Sequence, residues 1–143
     1  MVRIVVLAAV AAGVLVCGAS AAGSSVVISF RTPSGNIGCG YASGLGGPPS
    51  LRCDIRSGLR PRPARPRGCV DLEWGDSFQM NRTGRAGVTC HGDTVIDPRA
   101  RVLRYGSSWA RDGFKCVSRT TGLRCRNRSG HGFFMSRARS VRF

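Results

Sequence analysis

Lysine and carboxylate are both scarce in this chain, and outside the first twenty-odd positions its apolar residues never gather into a long run. Lys115 is the one lysine among 22 basic residues, and only 7 Asp plus Glu oppose them, for a formal charge of +15. With so few acids a calcium loop has little to build on. Asp93 and Asp97 flank Val95 and Ile96 but lack the D-x-D-x-D-G spacing such a loop needs. No C-x2-C pair occurs, which removes the usual zinc-ligand spacing. No metal and no cofactor are expected. No window beyond the N-terminus sustains a 3.6-residue apolar stripe, so helix content should be low.

What is present begins with a leader. Met1-Val2-Arg3 places one positive charge before the apolar run Ile4 to Val16, and Ala19-Ser20-Ala21 supplies an A-x-A site. A signal peptide over residues 1–21 is expected, cleaved after Ala21 or Ala22. The competing reading is an uncleaved anchor, because Ile4 to Ala22 is uncharged and approaches the roughly 20 residues of a spanning helix. Its second half is only weakly apolar, so membrane contact is expected solely through an uncleaved leader. Val16 stands where a lipoprotein would carry a small residue before Cys17.

Cleavage leaves six cysteines, Cys39, Cys53, Cys69, Cys90, Cys116 and Cys125, in a mature chain 22–143 whose net charge is +14 once Arg3 is lost. An even number behind a secretory leader reads as a disulfide framework in an oxidising compartment, hence a secreted chain, with the cell envelope as a possible address. That length suits one domain, expected to be monomeric.

Short β-branched or aromatic runs bounded by Gly, Pro, Asn or Asp follow one another: 25–30, 37–41, 51–55, 70–74, 78–80, 86–90, 102–105, 113–118, 123–127, 131–136 and 140–143. The spacing predicts an all-β fold, a small stapled antiparallel sheet or barrel-like domain built from short hairpins. Residues 56–68 interrupt it with Arg60-Pro61-Arg62-Pro63-Ala64-Arg65-Pro66-Arg67, an extended connector expected to be exposed and mobile. Leu51-Arg52-Cys53-Asp54 and Leu123-Arg124-Cys125-Arg126 each follow a turn and an earlier cysteine strand, so two similar hairpins are expected. From that outline follows the pairing Cys39 to Cys53, Cys69 to Cys90 and Cys116 to Cys125, each bridge worth roughly 3 kcal/mol by loop entropy.

Candidate chemistry is thin. His91 and His131 could serve as the acid and base of a secreted nuclease-like hydrolase if the fold brought them together, though glycines beside each fit turns equally well. Asp71, Glu73 and Asp76 surround Trp74, but Asp71 and Glu73 share one face of an extended chain and read as an acidic turn, not a pair astride a sugar. The Pro/Gly-rich tip Gly46 to Ser50 is the segment an inhibitor of an extracellular hydrolase would present. The arginines form two groups, Arg56, Arg60, Arg62, Arg65 and Arg67 in one run and Arg119, Arg124, Arg126, Arg128, Arg137, Arg139 and Arg142 in the C-terminal third, with Arg60, Arg62, Arg65, Arg67, Arg124, Arg126 and Arg128 the leading anion-binding candidates. With Tyr105, Trp109 and Phe133 nearby they could hold an anionic surface or polymer. A binding role at or outside the envelope, toward such a polyanion or toward an extracellular protein, is the leading expectation. No sequence-specific nucleic-acid motif accompanies the charge.

Four segments together resemble a known family: Phe30-x-Thr32-Pro33-Ser34-Gly35-Asn36-Ile37-Gly38-Cys39, Gly92-Asp93-Thr94, Leu103-x-Tyr105-Gly106-x-x-Trp109 and Gly122-Leu123-x-Cys125-x-Asn127-x-x-Gly130-His131-Gly132-Phe133. The chain is similar to an uncharacterised family of small secreted actinobacterial proteins, a domain of unknown function. The resemblance implies the same address and fold, and it brings no catalytic residues. The Pro/Arg connector lies outside these segments.

Overall fold

Eleven strands, and no helix among the described residues, make up the computed structural model, which describes residues 24–143. The expected leader lies outside them. The strands are β1 (Val26–Arg31), β2 (Ile37–Ser43), β3 (Ser50–Ile55), β4 (Ser77–Asn81), β5 (Gly87–Val88), β6 (Arg101–Val102), β7 (Ser108–Arg111), β8 (Phe114–Arg119), β9 (Gly122–Arg126), β10 (Gly132–Met135) and β11 (Ser140–Arg142). They form two sheets, one ordered β5-β4-β3-β2-β1-β6 and the other β11-β10-β9-β8-β7. The fold is all-β, and every strand pair is antiparallel except β1 with β6. That exception arises because the chain crosses from β5 to the far edge of the first sheet before reaching β6.

The two sheets pack face to face on one apolar core. Alternation puts Phe30, Cys39, Tyr41, Leu51, Cys53, Phe78 and Met80 of the first sheet inward, where they meet Phe114, Cys116, Leu123, Cys125, Phe133 and Met135 of the second. Phe78 lies against Phe133 at 5.5 Å between ring centroids, Tyr41 against Phe114 at 5.9 Å, and Phe30 against Trp109 at 4.9 Å. Such pairs add about 0.5–1.5 kcal/mol each beyond their buried area.

Disulfides join Cys39 to Cys53, Cys69 to Cys90 and Cys116 to Cys125. The first and third link residues directly opposite in their hairpins, Cys39 with Cys53 across β2 and β3 and Cys116 with Cys125 across β8 and β9. Their sulfurs meet in the core, with those of Cys39, Cys53 and Cys125 within 4.8 Å of one another. Bridged sulfurs offer no thiolates, so this cluster is packing and not a ligand set.

Two expectations differ from the structure. Residues 70–74 form no strand: only an isolated bridge between Glu73 and His91 occurs there, and Asp71 takes a positive φ of 56° that breaks an extended run. The connector is exposed over most of its length, as expected, but it is anchored at several points. Leu59 is buried, the Arg60 main chain bonds Ser140 in both directions, and the guanidinium carbons of Arg62 and Arg65 lie 4.4 and 4.6 Å from the Trp74 ring centroid. The prolines that bar a ladder thus hold the segment extended, and the side chains between them find partners of their own.

Candidate anion-binding face

The second sheet turns one face to the core and one outward, and its register decides which cations share the outer face. Strand β8 buries Phe114, Cys116 and Ser118 and exposes Lys115 and Arg119, while β9 buries Leu123 and Cys125 and exposes Arg124 and Arg126. Lys115 pairs with Arg126, and Val117 with Arg124, whose other neighbour is Phe134 on β10. These side chains therefore form two adjacent outer rows. Arg139 lies 5.4 Å from the Phe134 ring centroid, and Arg124 lies 3.8 Å from that of Phe143. Stacking on an aromatic ring orients a guanidinium while leaving its N–H edge available to an anion.

Hairpin geometry fixes this arrangement. Asp112 and Gly113 connect β7 to β8 with φ of 53° and 88°, the two positive values that a twist-matched two-residue turn requires. Asp112 is also the one acid between residues 98 and 143, against twelve Lys and Arg. Its carboxylate does not face the arginine rows unpaired. Arg82 donates to it, and Tyr41 Oη donates to its other oxygen at 2.9 Å, which ties the two sheets together. The hydrogen bond from Arg82 first, and then that from Tyr41, hold this carboxyl below its usual range. The second sheet's outer face is left with cations and rings.

Depressions flank the rows. One of 530 Å³ is lined by Arg119, Arg124, Phe134 and Arg139, and another of 500 Å³ by Arg111, Lys115, Arg126 and Arg128 with Asp112 at the hairpin end. A third, of 450 Å³, lies between Pro61 and Pro63 of the connector and Val141, Arg142 and Phe143. It places the connector beside the second sheet's β11 edge.

The sequence-predicted residues divide accordingly. Arg124, Arg126 and Arg128 come together on the outer face or at its end. Arg62 and Arg65 are taken up on Trp74, and Arg60 and Arg67 are exposed along the connector. Phe133, expected among the stacking aromatics, is fully buried, and Trp109 packs on Phe30. The ring on the arginine face is Phe134, one residue along, because the pairing of Cys125 with Phe133 turns Phe133 inward. Phe143 was also missed; an alternation count from Cys125 through the β9–β10 turn would have found Phe134.

The histidines are not brought together. His91 Nε2 lies 2.8 Å from Asp76 Oδ1 at the start of β4, whereas His131 sits in the turn whose Asn127 bonds the Asn81 carbonyl at the end of β4. Five residues of extended chain separate those anchors, about 17 Å at strand rise. The acids around Trp74 do not face each other across a cleft: Asp76 is engaged by His91, and Glu73 bonds His91 through the main chain. Asp93 lies 3.5 Å from Arg52, and Asp97 accepts from the Arg99 amide at 2.8 Å, so neither gathers with further acids. The tip at Gly46 to Ser50 joins β2 to β3, with Leu45 beside it 62% exposed.

No curated protein and no solved structure matches the chain. A family described only as a family of unknown function (DUF6636) matches residues 7–143, nearly its whole length, and the chain belongs to that family.

Proposed function

We propose that this chain is a secreted, non-enzymatic and monomeric binding protein, its mature part 22–143 one domain, and that it holds an anionic polymer or surface on the outer face of its second sheet. The observation that carries this reading is the cross-strand placement of Lys115, Arg124 and Arg126, with Arg119 and Arg139, on one solvent face whose neighbours are Val117, Phe134 and Phe143. Three disulfides are consistent with the oxidising address such a partner would occupy. A face of this kind attracts by charge and counterion release, with rings adding area and little sequence information.

The test is the salt dependence of binding to long-chain polyphosphate, followed by fluorescence titration on the disulfide-intact protein. Arg124→Gln with Arg126→Gln should lower the slope of log affinity against log salt by roughly two, about one per cation removed, with no change in thermal stability. An unchanged slope would place the polymer elsewhere. Changing Arg60 and Arg67 to Gln instead should lower the slope less, since they lie on the connector and not on the strands of this face, Arg60 meeting it through Ser140 of β11.

A further inference from the structure

A second surface lies where the sheets' free edges meet. Among the described residues strand β6 ends its side of the first sheet and β7 ends its side of the second, β6 pairing only with β1 and β7 only with β8. Between them runs a groove of 610 Å³, lined by Phe30, Leu103 and Trp109 and by Arg101, Arg104 and Ser108. We propose that this groove takes an extended acidic segment of a partner protein, added as a further strand on the open edge of β7.

The main chain is arranged for it. In a two-residue hairpin the closing pair exchanges both main-chain bonds; here that pair is Arg111 and Phe114. Alternation back along β7 turns Trp109 toward β8, and it turns the N–H and C=O of Ser108 and Ala110 outward. On the opposite bank the Leu103 amide donates to the Arg31 carbonyl at 2.8 Å, so Arg101 and Leu103 face β1 while Val102 presents its main chain to the groove. Unpaired edges of this kind accept an extended peptide through main-chain bonds, and the side-chain pockets beside them set the choice of peptide.

Charge decides the occupant. No carboxylate lines the groove, and Arg101 and Arg104 are exposed at its rim, above a floor made by Trp109 on Phe30. A strand carrying acids at alternate positions would set them on one side at a repeat of about 6.8 Å, facing these arginines, with its apolar side on the rings. A second copy of this chain fits poorly, because it would bring its own excess of cations into a basic groove.

The probe is a fluorescein-labelled peptide of four Glu-Val repeats, titrated by anisotropy with the full disulfide-bonded chain. Saturable binding is expected, weakened about tenfold or more by Arg101→Gln with Arg104→Gln. Two N-methylated versions of the peptide, each blocking one alternate set of amides, separate strand addition from simple charge attraction. One of the two should lose about tenfold while the other binds like the parent. Ser108→Pro removes an outward N–H without touching the β8 ladder and should weaken binding as well. Equal binding by the parent and both methylated peptides overturns the proposal. So does loss of binding in Arg124→Gln with Arg126→Gln, which would put the peptide on the polyanion face.

Discussion

The two sheets carry the same inner face and opposite outer faces. Inward, Cys39, Cys53 and Phe78 line up across β2, β3 and β4 as Cys116, Cys125 and Phe133 do across β8, β9 and β10, and Leu51 with Met80 matches Leu123 with Met135. Outward, Asp54 stands between Gly38 and Ser77 where Arg126 stands between Lys115 and Gly132. In the first sheet the segment Asp93 to Asp97 lies over that position. Thr94 Oγ1 and the Val95 amide donate to Asp54 at 3.0 and 2.9 Å, and Arg52 and Ser77 complete its shell. Nothing comparable crosses the second sheet's outer face among the described residues. Packing makes the inner faces alike, while the outer residue depends on what covers it: a carboxylate under a strap, cations under solvent.

The sharpest way to break the comparison is to remove its pivot. Asp54 is 1% exposed and fully engaged, so Asp54→Ala should destabilise the fold by about 3–5 kcal/mol, chiefly by stranding Arg52 and releasing the strap. The matching change, Arg126→Ala, should stay within about 0.5 kcal/mol in the same urea titration. Acid provides a second readout. Burial alone would push the Asp54 carboxyl up, but hydrogen bonds from Arg52, Ser77 and Val95 and the charge on Arg52 outweigh it and hold it below the usual range. A carboxyl depressed in the folded state contributes stability above its unfolded value, about 3.9, and loses it as pH falls through the lower folded value. The stability gap between wild type and Asp54→Asn should therefore narrow only below about pH 3.9. A gap that stays constant to pH 2 would mean that Asp54 acts by shape alone.

A smaller effect is expected one strand over. A Cβ on Gly38 would come within 2.8 Å of Ile96 Cα, so Gly38→Ala should lift the strap, cost about 1–3 kcal/mol and speed hydrogen exchange at the Val95 amide. Lys115 occupies the same place in the second sheet with a long, exposed side chain, since no described segment crosses above it. Unchanged exchange at Val95 after Gly38→Ala would show that the strap is held by Asp54 and does not need the close approach.

Much of this was legible in the chain. The period-two runs, the Gly/Pro-rich tip before Ser50 and the Thr-Thr-Gly turn locate the two cysteine hairpins, and the paired Leu-Arg-Cys segments announce their likeness. The strap was not legible, since Val95 and Ile96 look like a short strand and reveal nothing of where they lie. A hint was available in Gly38 and Gly40, which leave one face of β2 bare and invite a close neighbour. Strand β7 was missed because Ser108, Ala110 and Arg111 carry little β character, and its pairing comes from the Asp112-Gly113 turn. Residues 70–74 carried strand composition without a partner strand, and a run without a partner does not become a sheet. For the candidate site, Arg124 and Arg126 could be read by alternation, but the choice between Phe133 and Phe134 needed the register of β10.

The smallest expected effect probes the comparison from the other side. Arg126→Asp would write the first sheet's Leu-Arg-Cys-Asp into the second at the matching register. If the outer residue follows its cover, a carboxylate on this open face has only Arg124 two residues back and Lys115 across the strand pair to meet. Exposed pairs of that kind contribute about 0–1 kcal/mol, far from the several expected at Asp54. Stability should hardly move, while polyphosphate affinity should fall and its salt slope drop by more than one, because a cation is lost and an anion gained. A loss of several kcal/mol would show that the second outer face is covered after all, and the contrast between the sheets would then rest on composition and not on exposure.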